Sequence, residues 1–101
     1  MFDVESLKKI DSDYFNIILI ADKDITIQSR NTGHYWCLHC TKYPMEQSLI
    51  IFHKHVFKCP YHQHDRVNAL NQAVRSIKGH DRFQLEVKKA YNIRRAAVSS
   101  M

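Results

Sequence analysis

Residues 33–65 read GHYWCLHCTKYPMEQSLIIFHKHVFKCPYHQHD, and this stretch decides both the fold and the chemistry that the chain can support. It holds all three cysteines and six of the seven histidines of the protein. Residues 34–40 predict one strand, and residues 48–57 alternate so that Leu49 and His53 share one face of another. Packing alone does not require so many thiols and imidazoles, so the stretch points to a metal or catalytic site.

The segments before this stretch predict a short helix and two strands. Residues 3–10 place apolar side chains at near-helical spacing, and residues 14–21 are rich in aromatic and β-branched residues. Residues 25–28 alternate apolar with polar side chains, which together with residues 14–21 predicts a β-hairpin. A turn at residues 29–33, SRNTG, then leads into the next strand, because Asn and Gly tolerate positive φ.

The segments after the histidine-rich stretch predict helical structure. Pro60 ends the fourth strand, because proline has no N–H to donate to a sheet. Asp65 is the predicted N-cap of a helix over residues 66–78, and Gly79 is its predicted stop. Residues 83–97 fit two alternatives, a strand in which Phe83, Leu85 and Val87 alternate or a basic terminal helix over residues 86–97.

These elements predict an α+β fold, with a small antiparallel sheet of three to four strands and helices on one face. Residues 1–101 should form a single domain with a modest core, which a zinc ion could stabilise. The longest apolar run, residues 17–21, is too short to cross a bilayer, and the N-terminus lacks the order of a signal peptide. We therefore expect a cytoplasmic protein without a membrane partner, whose three cysteines are thiols or metal ligands.

The net charge of +5 is unevenly distributed along the chain. Residues 1–24 carry three lysines and six acidic residues, a balance of −3, whereas residues 25–101 carry twelve basic and four acidic residues, a balance of +8. The excess of basic residues over residues 25–101 suits a polyanionic partner, most simply nucleic acid. Solubility alone is the alternative explanation.

A zinc site is the first candidate within the histidine-rich stretch. The pair Cys37 and Cys40 and the pair Cys59 and His62 form a Cys₃His set at spacings that a structural zinc site uses. Against this set, residues three apart on a regular strand point to opposite faces, so the first pair converges only if the chain turns there. Buried, unliganded cysteines are the alternative.

The remaining histidines offer a second metal site. His53 and His55 project from the same face of a strand, and the following loop can bring His62, His64 or Asp65 near them. Such a site would keep a position open for water, as hydrolases and nucleases require. A half-exposed sheet face on which the imidazoles contact water is the alternative.

A third candidate requires no metal. His34 follows a tight turn and is flanked by Arg30, Tyr35 and Trp36, a set that can cleave RNA by general acid–base steps. Residues 29–79 loosely resemble the small double-stranded-RNA-binding-like toxin ribonucleases, in which a Gly-His pair enters a strand that a second strand and a helix follow. That resemblance implies His34 as the catalytic residue, although the acidic N-terminal segment and the C-x-x-C pair have no place in the pattern.

We expect a small basic module that binds nucleic acid, RNA included, with zinc as its cofactor. The alternatives are a histidine-dependent ribonuclease or phosphodiesterase that uses His34, His53 or His55, and a protein-interaction or regulatory domain. Aromatic residues near the basic ones, Tyr35, Tyr43 and Tyr61 among them, can stack bases, whereas Trp36 is expected to be buried. The predicted nucleic-acid-binding residues are Lys54, Lys58, Arg66, Arg75, Lys78, Lys88, Lys89, Arg94 and Arg95.

Overall fold

The structure is a computed structural model, and it describes residues 2, 4–41 and 48–99. Within these ranges a short helix is followed by five strands and a long helix. Their bounds are α1 Val4–Lys8, β1 Phe15–Ile20, β2 Asp24–Ser29, β3 Tyr35–Cys40, β4 Leu49–Lys54, β5 His62–Val67 and α2 Leu70–Ser99. The α+β prediction is confirmed. Most of the predicted loop between β3 and β4, with Tyr43 and Pro44, lies outside the described residues.

The five strands form one antiparallel sheet in the order β1-β2-β3-β4-β5, so each strand pairs with its neighbours along the chain. The prediction of three to four strands was therefore one strand short. The additional strand is β5, which we had predicted as a loop and the start of a helix. Pro60 lies before β5 rather than within it, so the proline removes no hydrogen bond from the sheet.

A β-bulge interrupts the pairing of β5 with β4. Ile51 pairs with Asp65 and Phe52 pairs with Gln63, which leaves His64 as the extra residue between them. Bulges redirect the side chain of the extra residue and are common beside functional sites. The bulge places the ring of His64 edge-on to that of Trp36, with the centroids 5.2 Å apart.

Helix α2 begins later and continues much further than predicted. It starts at Leu70 because residues 62–67 belong to β5, so Asp65 is a strand residue and not an N-cap. Gln72 Oε1 accepts a hydrogen bond from the backbone N–H of Asn68 at 2.8 Å, which links the segment before the helix to its first turn. The helix passes through Gly79, where an added Cβ would contact nothing within 4 Å. Gly79 is therefore not a helix stop, and the helical alternative for residues 83–97 is confirmed.

The core lies between one face of the sheet and the first three turns of α2. The alternating residues of the central strands fill the sheet side, and Ile77 is a fully buried member of the helix side. The buried apolar residues are Ile10, Phe15, Ile25, Ile27, Trp36, Leu38, Leu49, Ile51, Leu70, Ala73 and Ile77. At one end of the same layer, the apolar side chains give way to the buried polar residues Ser29, His53 and Asp81. No helix in the described part of the chain is long and apolar enough to span a membrane.

Candidate metal centre

Six of the seven histidines form one connected cluster at this polar end of the core. Each ring lies within about 6 Å of at least one other ring of the group, measured between ring centroids. The members are His34, His53, His55, His62, His64 and His80. The seventh, His39, is bonded through Nδ1 to Asp24 Oδ1 at 2.7 Å on the opposite face of the sheet.

The turn after β2, strand β4, strand β5 with His62 and His64, and helix α2 bring these rings together. His34 follows the turn after β2, where Gly33 has a φ of 77° and donates its N–H to the carbonyl of Ser29 at 2.8 Å. His53 is the last core-facing residue of β4, and His55 comes directly after that strand. His80 is one turn beyond the buried Ile77 on α2. The cluster therefore depends on the docking of α2 against the sheet.

Trp36 forms the floor of the cluster. Its ring is fully buried, as predicted, and its Nε1 donates a hydrogen bond to Ser29 Oγ at 3.0 Å. The indole stacks on the imidazole of His53, with the centroids 4.1 Å apart and an angle of 26° between the planes. The rigid aromatic ring thus restricts the orientation of His53, which is 1% exposed.

Four imidazoles bring nitrogen atoms close enough to share one metal ion. One nitrogen from each of His34, His53, His55 and His80 lies within 4.8 Å of the other three. His34 Nδ1 and His53 Nε2 are 3.0 Å apart. A tetrahedral zinc site with Zn–N bonds of about 2.05 Å requires N···N separations of roughly 3.3 Å. The 3.0 Å contact is a hydrogen bond between the two rings, whose proton an ion would displace, and the widest separation needs to close by at most about 1.5 Å (4.8 minus 3.3).

Four imidazoles of the cluster favour the neutral form, which can bind a metal. Burial lowers the pKa of His34, His53, His64 and His80, because a charged ring loses water that the protein does not replace. Burial has the largest effect at His53, where the neighbouring rings of His80 and His34 add to it and the pKa falls to about 3. A neutral imidazole keeps a free lone pair, which is the form that binds a metal.

His80 carries a buried nitrogen that the polypeptide leaves unsatisfied. Its Nε2 has no hydrogen-bond partner among the described residues. A buried polar atom without a partner typically costs about 1–3 kcal/mol of stability. A metal ion among the four imidazoles would give this lone pair a partner, whether through Nε2 itself or through reorientation of the ring.

Asp81 holds the turn that carries His34. Its fully buried carboxylate accepts hydrogen bonds from Tyr14 OH at 2.7 Å and from Thr32 Oγ1 at 2.9 Å. Thr32 Oγ1 in turn accepts the backbone N–H of His34 at 3.3 Å, so the carboxylate holds the turn that carries this ligand. Burial, followed by the hydrogen bond to Asp81, raises the pKa of Tyr14 to about 12, which keeps its hydroxyl a donor.

The charge of Asp81 also acts on the rings. It opposes the lowering of the pKa at His34 and at His80, where burial remains the larger effect. The hydrogen-bond donors to the carboxylate are two neutral hydroxyl groups rather than a cation. A buried carboxylate close to His34 and His80, where burial lowers the pKa of the imidazoles, creates a site that attracts a positive ion.

No family model, curated protein or solved structure matches this chain. The resemblance of residues 29–79 to the toxin ribonucleases can therefore be compared only with the order of the strands and helices. His34 enters β3 after a tight turn, as that pattern requires, and β4 follows. However, β5 intervenes before α2, where the pattern has a helix directly after the second strand.

The structure does not bring the predicted Cys₃His ligands together. Strand β3 runs straight through Cys40, so Cys37 lies on the face that carries Asp24, whereas Cys40 packs against the core on the other face. Cys59 is exposed in the connection to β5. Of the four predicted ligands, only His62 joins the histidine cluster, with its ring 5.3 Å from that of His53.

The predicted nucleic-acid-binding residues lie in separate parts of the fold. Lys54 ends β4 and points toward aromatic rings, with Nζ donating to the carbonyl of Phe57 at 3.0 Å and lying 4.5 Å from the ring centroid of Tyr61. Lys58 is in the loop before β5, and Arg66 lies on β5. The residues on α2 are Arg75, Lys78, Lys88, Lys89, Arg94 and Arg95.

Sequence reasoning missed His80 and Asp81 as site residues. The segment from Gly79 to Asp81 was interpreted as a helix stop followed by a turn. The signal that identifies them is the apolar stripe of α2, because residues three and four positions after Ile77 fall on the same buried face.

Proposed function

We propose that this domain binds one divalent transition-metal ion, Zn²⁺ by preference, through the imidazoles of His34, His53, His55 and His80. The observation that carries the proposal is the approach of four imidazole nitrogens to within 4.8 Å of one another. The lowered pKa values, the unsatisfied Nε2 of His80 and the buried carboxylate of Asp81 support the same conclusion.

The donor set favours particular metals. Imidazole nitrogen suits zinc, copper, nickel and iron, whereas calcium and magnesium take oxygen ligands. Zinc fits four ligands in a tetrahedral arrangement without further requirements on geometry. Copper should bind at least as tightly in vitro, because Cu²⁺ precedes Zn²⁺ in the affinity order of the divalent ions.

The unequal burial of the ligands favours a second function for the same ion. His53 is buried and His34 and His80 are half-buried, whereas His55 is exposed to solvent. Three inner ligands and one exchangeable outer ligand match a zinc site that admits water in the fourth position. An ion held there would acidify a bound water toward neutral pH and so supply a nucleophile. The second candidate function is therefore hydrolysis, for which His62 and His64, with rings 5.3 Å from His53 and 4.9 Å from His80, would be the proton acceptors.

Metal titration of protein prepared without a histidine tag tests the proposal. After chelator treatment, calorimetric titration with Zn²⁺ should give one ion per chain. His34→Gln and His55→Gln should each weaken binding by about tenfold or more, and neither residue is part of the packed core. His39→Gln is the matched control, since it removes the one imidazole outside the cluster.

The same titration distinguishes the two ligand sets. If the predicted Cys₃His set binds the ion, Cys59→Ser should abolish binding, and Co²⁺ should give the intense thiolate-to-metal absorption of a sulfur-ligated site. We expect neither result. Stoichiometric binding that survives His34→Gln and His55→Gln unchanged would refute the imidazole site, as would the absence of binding.

A further inference from the structure

We infer that the groove between α2 and the turn after β2 binds the phosphate backbone of a single nucleic-acid strand. The main cavity of this binding surface is lined by none of the four imidazoles, and strand binding does not require the metal to be bound. It begins as a cavity of about 410 Å³ on the exposed side of α2, with Tyr14 and Asn31 on the opposite wall.

The floor of the groove is positively charged. Lys78, Arg82 and Lys89 line it from α2, and Glu86 is the one acidic residue of the lining, which gives a balance of +2 (three minus one). Neither Arg82 nor Lys89 forms an ion pair with a described residue. Lys78 Nζ lies 4.0 Å from Asp11 Oδ2, but both side chains are half-exposed, so that contact neutralises little of its charge.

The spacing of the cations matches an extended polyanion better than a small one. Eleven residues separate Lys78 from Lys89, and at a rise of about 1.5 Å per residue they lie roughly 16 Å apart along the helix axis. That length corresponds to about five stacked nucleotides at roughly 3.4 Å each. A single phosphate ion cannot contact both ends of such a row, whereas a strand presents one phosphate for every nucleotide.

The volume of the groove suits one strand. A cavity of about 410 Å³ holds part of one sugar–phosphate backbone, and it is too small to enclose a duplex. Leu85 contributes an apolar wall, which a sugar or base can contact beside the charged groups.

The groove leads to the histidine cluster. A second cavity of about 170 Å³ shares Asn31 and Leu85 with the first, and it adds Lys88 and His34 to the lining. A strand held along α2 therefore passes His34, one of the four proposed ligands. The arrangement would present a phosphodiester to the metal if the site is hydrolytic.

Binding of a labelled single-stranded oligonucleotide to the full chain tests this inference. Fluorescence anisotropy at several salt concentrations gives both the affinity and its salt dependence. The double variant Arg82→Gln/Lys89→Gln removes two exposed cations of the groove. Its affinity should fall about tenfold or more at low salt, and the slope of log K against log salt should decrease by about 1.4, since each phosphate contact on a single strand contributes about 0.7.

The control is Lys9→Gln/Lys23→Gln, which removes the same charge from exposed residues outside the groove. Equal losses in the two double variants would show that only net charge matters and would overturn the inference. Absence of binding at low salt would overturn it as well, as would equal competition by polyglutamate or a preference for duplex. Because the measurement is repeated in chelator and in Zn²⁺, loss of metal binding and loss of strand binding are detected separately.

Discussion

Replacing the carboxylate of Asp81 by an amide should weaken metal binding without removing a ligand. Asp81→Asn keeps the shape of the side chain, but it deletes a buried negative charge beside His34 and His80. It also removes one of the two acceptor oxygens that hold Tyr14 and Thr32. Partners that orient metal ligands typically contribute a factor of 10–100 to metal affinity.

The expected size of the effect follows from the two hydrogen bonds. A tenfold loss of affinity equals about 1.4 kcal/mol, and a charged acceptor strengthens each bond by about 1 kcal/mol over a neutral one. Zn²⁺ at saturating concentration should therefore stabilise the variant by at least about 1.4 kcal/mol less than it stabilises the parent protein. For a domain of this size, that difference reduces the metal-dependent rise in Tm by roughly 6–10 °C.

Thermal melts with and without Zn²⁺, combined with calorimetric titration, provide the measurement. Thr32→Val serves as the comparison, because it breaks the link from Asp81 to the backbone N–H of His34 while it keeps the charge. A smaller effect of Thr32→Val than of Asp81→Asn assigns the difference to the charge. If Asp81→Asn binds Zn²⁺ as tightly as the parent protein, Asp81 does not support a metal site and the reasoning fails.

Two further predictions concern the metal-free protein. An unfolded imidazole has a pKa of about 6.5, whereas that of His53 is lowered to about 3, so below pH 6.5 the unfolded chain binds the additional proton. His53 alone should therefore lower the free energy of unfolding by about 2 kcal/mol between pH 7 and pH 5, measured by urea unfolding. His34, His64 and His80, whose pKa values are lowered too, add to this loss, and equal stability at the two pH values would contradict the prediction. Gly79→Ala should stabilise the protein by about 1 kcal/mol in the same assay, because Gly79 lies inside α2 with free space around it, and destabilisation would indicate that the helix ends there.

The central strands could be predicted because their apolar residues alternate. Leu49, Ile51 and His53 were expected on one face of a strand, and all three are buried on the core face of β4. Trp36 was expected to be buried, and it is. In these segments local pattern and tertiary burial favour the same structure.

Strand β5 could not be predicted in this way. Its sequence, HQHDRV, has one apolar residue, and its side chains are exposed or half-buried. The strand forms because the edge of β4 offers backbone hydrogen bonds, an influence that no local pattern records. Because residues 62–67 form β5, the helix starts at Leu70 and not at residue 66 as predicted.

The candidate site was predicted in part. The concentration of histidines was recognised, and His53 and His55 were paired correctly on one side of the sheet. The C-x-x-C pair could converge only if the chain turned between the two cysteines, and β3 instead includes both, which places Cys37 and Cys40 on opposite faces. His80 was missed because a glycine within a helix resembles a helix end.

The position of His80 has a mechanical consequence. Helix α2 is 30 residues long, yet its fully buried or nearly buried apolar contacts with the sheet are confined to Leu70, Ala73 and Ile77, near one end. An ion bound by both His80 and the sheet histidines would cross-link the helix to the sheet one turn beyond that short contact. Occupancy of the metal site would then determine how often the helix detaches from the sheet. Amide hydrogens around Ile77 should therefore exchange with solvent deuterium more slowly as zinc is added.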